Sequence, residues 1–156
     1  MTRMRRARAL CLLPLLASCS LMGGEEEGDW TERTIAEAPP RRELLAYCAQ
    51  AMAQAGYPAP RVDEARDAVV SEWRLELQPF AGAGRRFRAT VELAGYDRDA
   101  ALLRARVEAE KNGEKGRPMD LALAKWESMP DDANRARILL QHVVSLLETS
   151  GVGGAR

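Results

Sequence analysis

Arg86-Phe87-Arg88-Ala89-Thr90-Val91-Glu92-Leu93 alternates polar and apolar side chains residue by residue. Successive side chains of a strand point to opposite faces, so this run predicts a half-buried strand with Phe87, Ala89, Val91 and Leu93 inward. The pattern recurs on both sides. Downstream, Leu103, Ala105, Val107 and Ala109 alternate with Arg104, Arg106, Glu108 and Glu110. Upstream, Val69, Ser71, Trp73, Leu75 and Leu77 alternate with Val70, Glu72, Arg74, Glu76 and Gln78. The links through Pro79–Gly84 and Gly95–Asp99 are too short for a parallel crossover. They predict a three-stranded antiparallel meander with one apolar face and one face of mixed Arg and Glu. Burying Trp73, Leu75, Phe87, Val91 and Val107 is expected to contribute about 1.5–3 kcal/mol each, so Trp73→Asp should unfold the domain.

A helix is predicted on each side of the strands. From Arg41 to Ala55, Leu44, Cys48, Ala51, Met52 and Ala55 recur at three- and four-residue steps, and Gly56 is the stop. Cys48 sits mid-stripe and reads as a small buried hydrophobe. Pro130-Asp131-Asp132 reads as a helix start, followed by the stripe Ala136, Leu140, Val143, Val144 and Leu147 and a stop at Gly151. His142 projects away from that stripe. Met119–Met129 fits a short helix or an extended segment equally well. One greasy sheet face and two greasy helix stripes imply a two-layer α+β domain over 41–150, ordered helix, three strands, helix, with 151–156 as a frayed tail.

The beginning of the chain follows another logic. Arg3, Arg5, Arg6 and Arg8 precede an apolar run from Ala9 to Ala17, which is interrupted by Pro14. The run is about half the ~20 residues a membrane-spanning helix needs. A positive stretch, a short apolar run and small residues are the parts of a secretory leader in their usual order. Leu16-Ala17-Ser18-Cys19 resembles the lipobox of bacterial lipoproteins. That resemblance implies a signal peptide over 1–18, recognition of Leu16, Ala17 and Ser18 by the signal peptidase, and a diacylglyceryl group on Cys19. Ser20 stands where Asp commonly means inner-membrane retention, so the resemblance implies an outer-membrane anchor facing the periplasm of a diderm bacterium. Residues 19–40, with the acidic run Glu25-Glu26-Glu27, then read as a solvated tether.

Composition narrows the function. Removing the first 18 of 156 residues leaves a chain long enough for one domain with a core. The leader carries four of the 23 basic residues and none of the 23 acidic ones, so the mature chain is net acidic and argues against nucleic acid. Of three cysteines only Cys48 remains for the domain, and His142 is the single histidine. Thiolate and histidine-rich metal sites are thereby excluded. The sequence has no nucleophile elbow, phosphate-cradling glycine loop or HExxH pair, and predicts a non-enzymatic protein with no cofactor.

One interaction surface stands out. Arg74, Arg86, Arg88, Arg104 and Arg106 are expected together on the polar sheet face, where guanidinium forks suit phosphate or carboxylate. Glu72, Glu76, Glu92, Glu108 and Glu110 are expected beside them, and cross-strand pairing of opposite charges is the simpler use of both sets. The domain loosely resembles small α+β lipoproteins that assist envelope assembly. This implies an adaptor or accessory subunit held at the membrane by its lipid, with an envelope protein as partner. The alternatives are a periplasmic carrier of lipid or another hydrophobic ligand between sheet and helices, and a hydrolase using His142.

Overall fold

In the computed structural model, residues 28–78, 83–97 and 99–151 are described. The expected leader over 1–18, with Leu16, Ala17 and Ser18, and the expected lipidation site Cys19 lie outside them. Among the described residues there are seven strands and two α-helices: β1 (Thr31–Ala36), α1 (Arg41–Gln54), β2 (Arg61–Asp63), β3 (Ala68–Val70), β4 (Arg74–Gln78), β5 (Ala83–Tyr96), β6 (Ala100–Asn112), β7 (Trp126–Met129) and α2 (Ala133–Thr149). The class is mixed α+β, as the sequence predicts. The three-strand meander is corrected to a seven-stranded, wholly antiparallel sheet.

The sheet is built around the long hairpin of β5 and β6. Each hairpin strand is flanked by two short strands laid end to end. β3 and β4 pair with the two halves of β5, β1 and β7 with the two halves of β6, and β2 extends the sheet beyond β3. β6 alternates inward and outward along its length, and Ala101, Leu103, Ala105, Val107 and Ala109 are buried. A bulge between Leu93 and Gly95 shifts the register, so Tyr96 opposes Ala101. The Tyr96 hydroxyl donates to the Pro39 carbonyl at 3.0 Å, which fixes the entry to α1.

Both helices cover the same sheet face. Leu44, Met52, Leu103, Leu139, Val91 and Val107 meet in a single core at no more than 1% exposure. Cys48 is fully buried within it. α1 ends in a Schellman motif: Tyr57 N–H donates to Met52 O, Gly56 N–H donates to Ala53 O, and Gly56 takes φ 80°. Asp132 caps α2, its carboxylate accepting from Arg135 N–H at 2.9 Å, and Gly151 closes the helix at φ 68°.

Two sequence expectations are corrected, and one open alternative is resolved. Thr31–Ala36, read as part of the tether, is the edge strand β1, with Ile35 buried in the core. The upstream run does not form one strand. It breaks at Ser71-Glu72-Trp73, where Ser71 N–H donates to Ala89 O and Ala89 N–H returns to the Ser71 hydroxyl. Side-chain phase reverses across this break: Val69 is buried, whereas Leu75 and Leu77 are 46% and 40% exposed. Trp73 and Leu75 are therefore not core residues, and Arg74 takes the inward direction opposite Phe87. Met119–Met129 resolves into a 3-10 turn at Leu121–Leu123 followed by β7.

Candidate functional site

The sheet face turned away from the helices is an ionic and aromatic lattice. The pairing of β5 with β6 sets Arg86 opposite Glu110, Arg88 opposite Glu108 and Glu92 opposite Arg104. Each pair closes. Arg88 donates to both oxygens of Glu108 at 2.7 and 3.0 Å, Arg86 to Glu110 at 2.5 Å, and Arg104 to Glu92 at 2.9 and 2.7 Å. Arg106, whose cross-strand neighbour is Thr90, reaches instead to Asp131 in the segment between β7 and α2 at 2.6 Å. The bond to Glu108 raises the Arg88 pKa above its ordinary value, so this guanidinium stays charged throughout the useful pH range.

All three tryptophans of the chain stack on these arginines. Trp73 lies 4.4 Å from the Arg86 guanidinium and 4.8 Å from that of Arg88; Trp126 approaches Arg86 at 4.6 Å; Trp30 approaches Arg104 at 4.4 Å. The alternating stack Trp126, Arg86, Trp73, Arg88 runs across β7, β5 and the β3–β4 junction. Each such contact contributes about 0.5–1 kcal/mol at an exposed site. Beside it, Arg61, Val70, Glu72, Trp73 and Arg88 line an open groove of about 660 Å³.

The five arginines of the sequence reading are not one surface. Arg86, Arg88, Arg104 and Arg106 share the outer face. Arg74 is on the helix side, where it donates to the Ala55 carbonyl at 2.8 Å and lies 3.3 Å from Glu76. Glu76 accepts both forks of Arg135, and Arg135 also lies 3.9 Å from the Phe87 ring centroid. Arg74 thus joins a structural network that ties β4 to both helices. Its displacement follows from the phase reversal at Ser71–Trp73, which turns Arg74 to the helix side, where the Ala55 carbonyl at the α1 C-terminus accepts its guanidinium.

No protein-family model matches the chain, and no curated protein matches it.

The chemistry of the outer face follows from its pairing. Arg86, Arg88, Arg104 and Arg106 each have a carboxylate partner, so mixed signs cancel the field that would gather a free anion. What remains is a broad surface of tryptophan and arginine, the residue types that dominate binding at protein interfaces. Sequence reasoning found the arginines and missed the tryptophans. Trp30 and Trp126 lie in segments with little periodicity, and Trp73 carries the wrong phase. Among the described residues, no group of three His, Cys, Asp or Glu is placed to hold a metal ion, and no helix is long and apolar enough to cross a membrane. His142 is exposed on α2, in a cleft with Tyr57, Arg74, Asp132 and Arg135.

Proposed function

We propose that this chain is a lipid-anchored envelope lipoprotein, attached through Cys19 to the periplasmic side of the outer membrane, that acts as a non-enzymatic adaptor. The observation that carries the reading is the order of parts: a basic start, a short apolar run, Leu16-Ala17-Ser18-Cys19, and a folded domain whose first strand opens at Thr31. Twelve residues reach at most about 40 Å when extended. The domain would therefore work close to the bilayer, its sheet presented from a short leash. A diacylglyceryl group with an amide-linked chain exceeds the two-chain threshold for lasting attachment. Attachment in turn raises the effective concentration of a membrane-bound partner, so modest contacts suffice.

The partner is a protein of the envelope, and the Trp/Arg face of the sheet is its docking surface. A carrier of hydrophobic ligand would need open space between the layers, where Leu44, Met52, Leu103 and Leu139 are packed at 0–1% exposure. The test is fractionation combined with intact mass. The wild-type protein should sediment with membranes and carry the acyl mass on Cys19, and Cys19→Ala should be soluble or remain as precursor. An unmodified thiol on Cys19, or a Cys19→Ala protein that fractionates as wild type does, overturns the anchor. Photocross-linkers placed beside Trp73 and Trp126 should capture one envelope protein reproducibly. Capture from α2 positions alone would move the docking surface elsewhere.

A further inference from the structure

The geometry points to a second contact surface, the open edge of β4, and to a second copy of this chain as its occupant. Among the described residues β4 pairs only with β5. The edge is covered just before it, where Glu72 N–H donates to Pro58 O at 2.9 Å, and from Arg74 to Gln78 no described residue pairs with its far side. An unpaired strand edge is a template for another strand, and proteins usually blunt it with charge or brevity. The other short strands do so. β1 turns Glu32 and Thr34 outward with Arg33 also exposed, β2 is only three residues long and sets its exposed Val62 between Arg61 and Asp63, and β7 exposes Glu127 and Ser128. β4 instead exposes two leucines, Leu75 at 46% and Leu77 at 40%.

The strand Arg74-Leu75-Glu76-Leu77-Gln78 is nearly symmetric about Glu76. An antiparallel pairing with itself, centred there, is isologous: each copy offers the same surface to the other. It sets Leu75 of one copy opposite Leu77 of the other, twice, making a four-leucine patch on the outer face next to Trp73. On the helix side it sets Arg74 opposite Gln78 and brings Arg74 diagonally towards the other copy's Glu76, within reach of a long side chain. Glu76 is already neutralised by Arg135, so the meeting of two Glu76 residues does not oppose the pairing. The α2 flank is prepared in the same sense. Ile138 is 45% exposed and lines, with Tyr57, Arg74 and Arg135, a cleft of about 400 Å³. That cleft gives the second copy's Gln78 and Arg74 side chains room.

Sedimentation equilibrium of the full chain in mild detergent tests this inference, independently of whether Cys19 is acylated. The wild type should dimerise, and Leu75→Lys with Leu77→Lys should weaken the dimer about tenfold or more, because lysines would then face lysines across the edge. Circular dichroism should show the fold retained, since both side chains face solvent in one copy. A second measurement reads the register. Chains carrying Leu75→Cys and chains carrying Leu77→Cys, mixed and oxidised, should give the 75–77 heterodimer in preference to either homodimer. A monomeric wild type, equal association of wild type and the double-lysine variant, or no preference for the heterodimer overturns the proposal. So does a monomer that takes up a foreign strand at β4.

Discussion

Arg135 and Glu76 meet fork to fork, with N–O distances of 2.8 and 2.9 Å, and this one contact fastens the first turn of α2 to the short strand β4. Arg135 further binds the Asp132 carboxylate at 3.1 Å and covers the Phe87 ring. Both partners are about three-quarters buried, so removing one leaves the other charge poorly solvated. Arg135→Ala should lower stability by about 2–3 kcal/mol, seen as a fall of several degrees in the thermal midpoint. Arg135→Lys should recover only part of the loss, because an ammonium cannot present two parallel donors. Equal melting of all three proteins would show that the pair contributes nothing.

Trp73 supplies the sharpest contrast between pattern and structure. Alternation assigns it to the core, but it stands on the outer face against Arg86 and Arg88. Trp73→Ala should therefore cost about 1–2 kcal/mol, two cation–π contacts, and Trp73→Asp should still melt cooperatively. Leu103→Ala, at a position with no exposure, should cost about 2–5 kcal/mol. Urea denaturation of the three variants decides the matter, and a Trp73→Asp protein that fails to fold would put the indole back inside.

These residues show how far the sequence was legible. β5, β6 and both helices were readable because each buries a full periodic stripe, and a stripe fixes period and face together. β1 and β7 were not. An edge strand needs only one inward anchor, Ile35 in β1, and a single apolar residue has no period. The run from Val69 to Gln78 kept its period while losing its phase. Three non-strand residues at Ser71–Trp73 reverse the facing of all that follows, and alternation is blind to such a reversal. The interaction face inherited the same error, which is why Arg74 parts company with Arg86 and Arg88. The expected leader is legible only as sequence, because residues 1–27 lie outside the described part of the structure.

Backbone strain is local and correctable. Ala59 holds φ 44° between Pro58 and Pro60. The left-handed region disfavours a Cβ, and a following proline disfavours it further. Glycine removes that penalty at some entropic cost in the unfolded chain, so Ala59→Gly should stabilise by about 0.5–1 kcal/mol. Asp67 at φ 49° differs, since its carboxylate also pairs with Arg41 at 3.0 Å and aspartate tolerates this region better. Asp67→Gly should gain less. Chemical denaturation midpoints compare the two directly, and a destabilised Ala59→Gly would show that no strain is stored there.

Alkaline pH should loosen the core from inside. Burial pushes the Cys48 thiol from 9.0 to about 12, since a thiolate within the apolar core lacks solvation. Burial raises Tyr57 as well, against the opposing pull of Arg135 and Arg74. An acid whose folded pKa lies above its unfolded one keeps its proton in the native state after the unfolded chain has lost it. The native state then binds more protons, and stability falls as pH rises from the unfolded value towards the folded one. The Cys48 contribution is therefore complete below pH 9 and declines between 9 and about 12. Urea midpoints measured from about pH 8 to about pH 10.5 should fall more steeply for wild type than for Cys48→Ala, which lacks the titrating group. A thiol reagent at neutral pH should label Cys48 only after unfolding, because neither access nor thiolate is available in the folded domain. Identical pH slopes for the two proteins, or rapid labelling of the native one, would place this sulfur outside the packed interior.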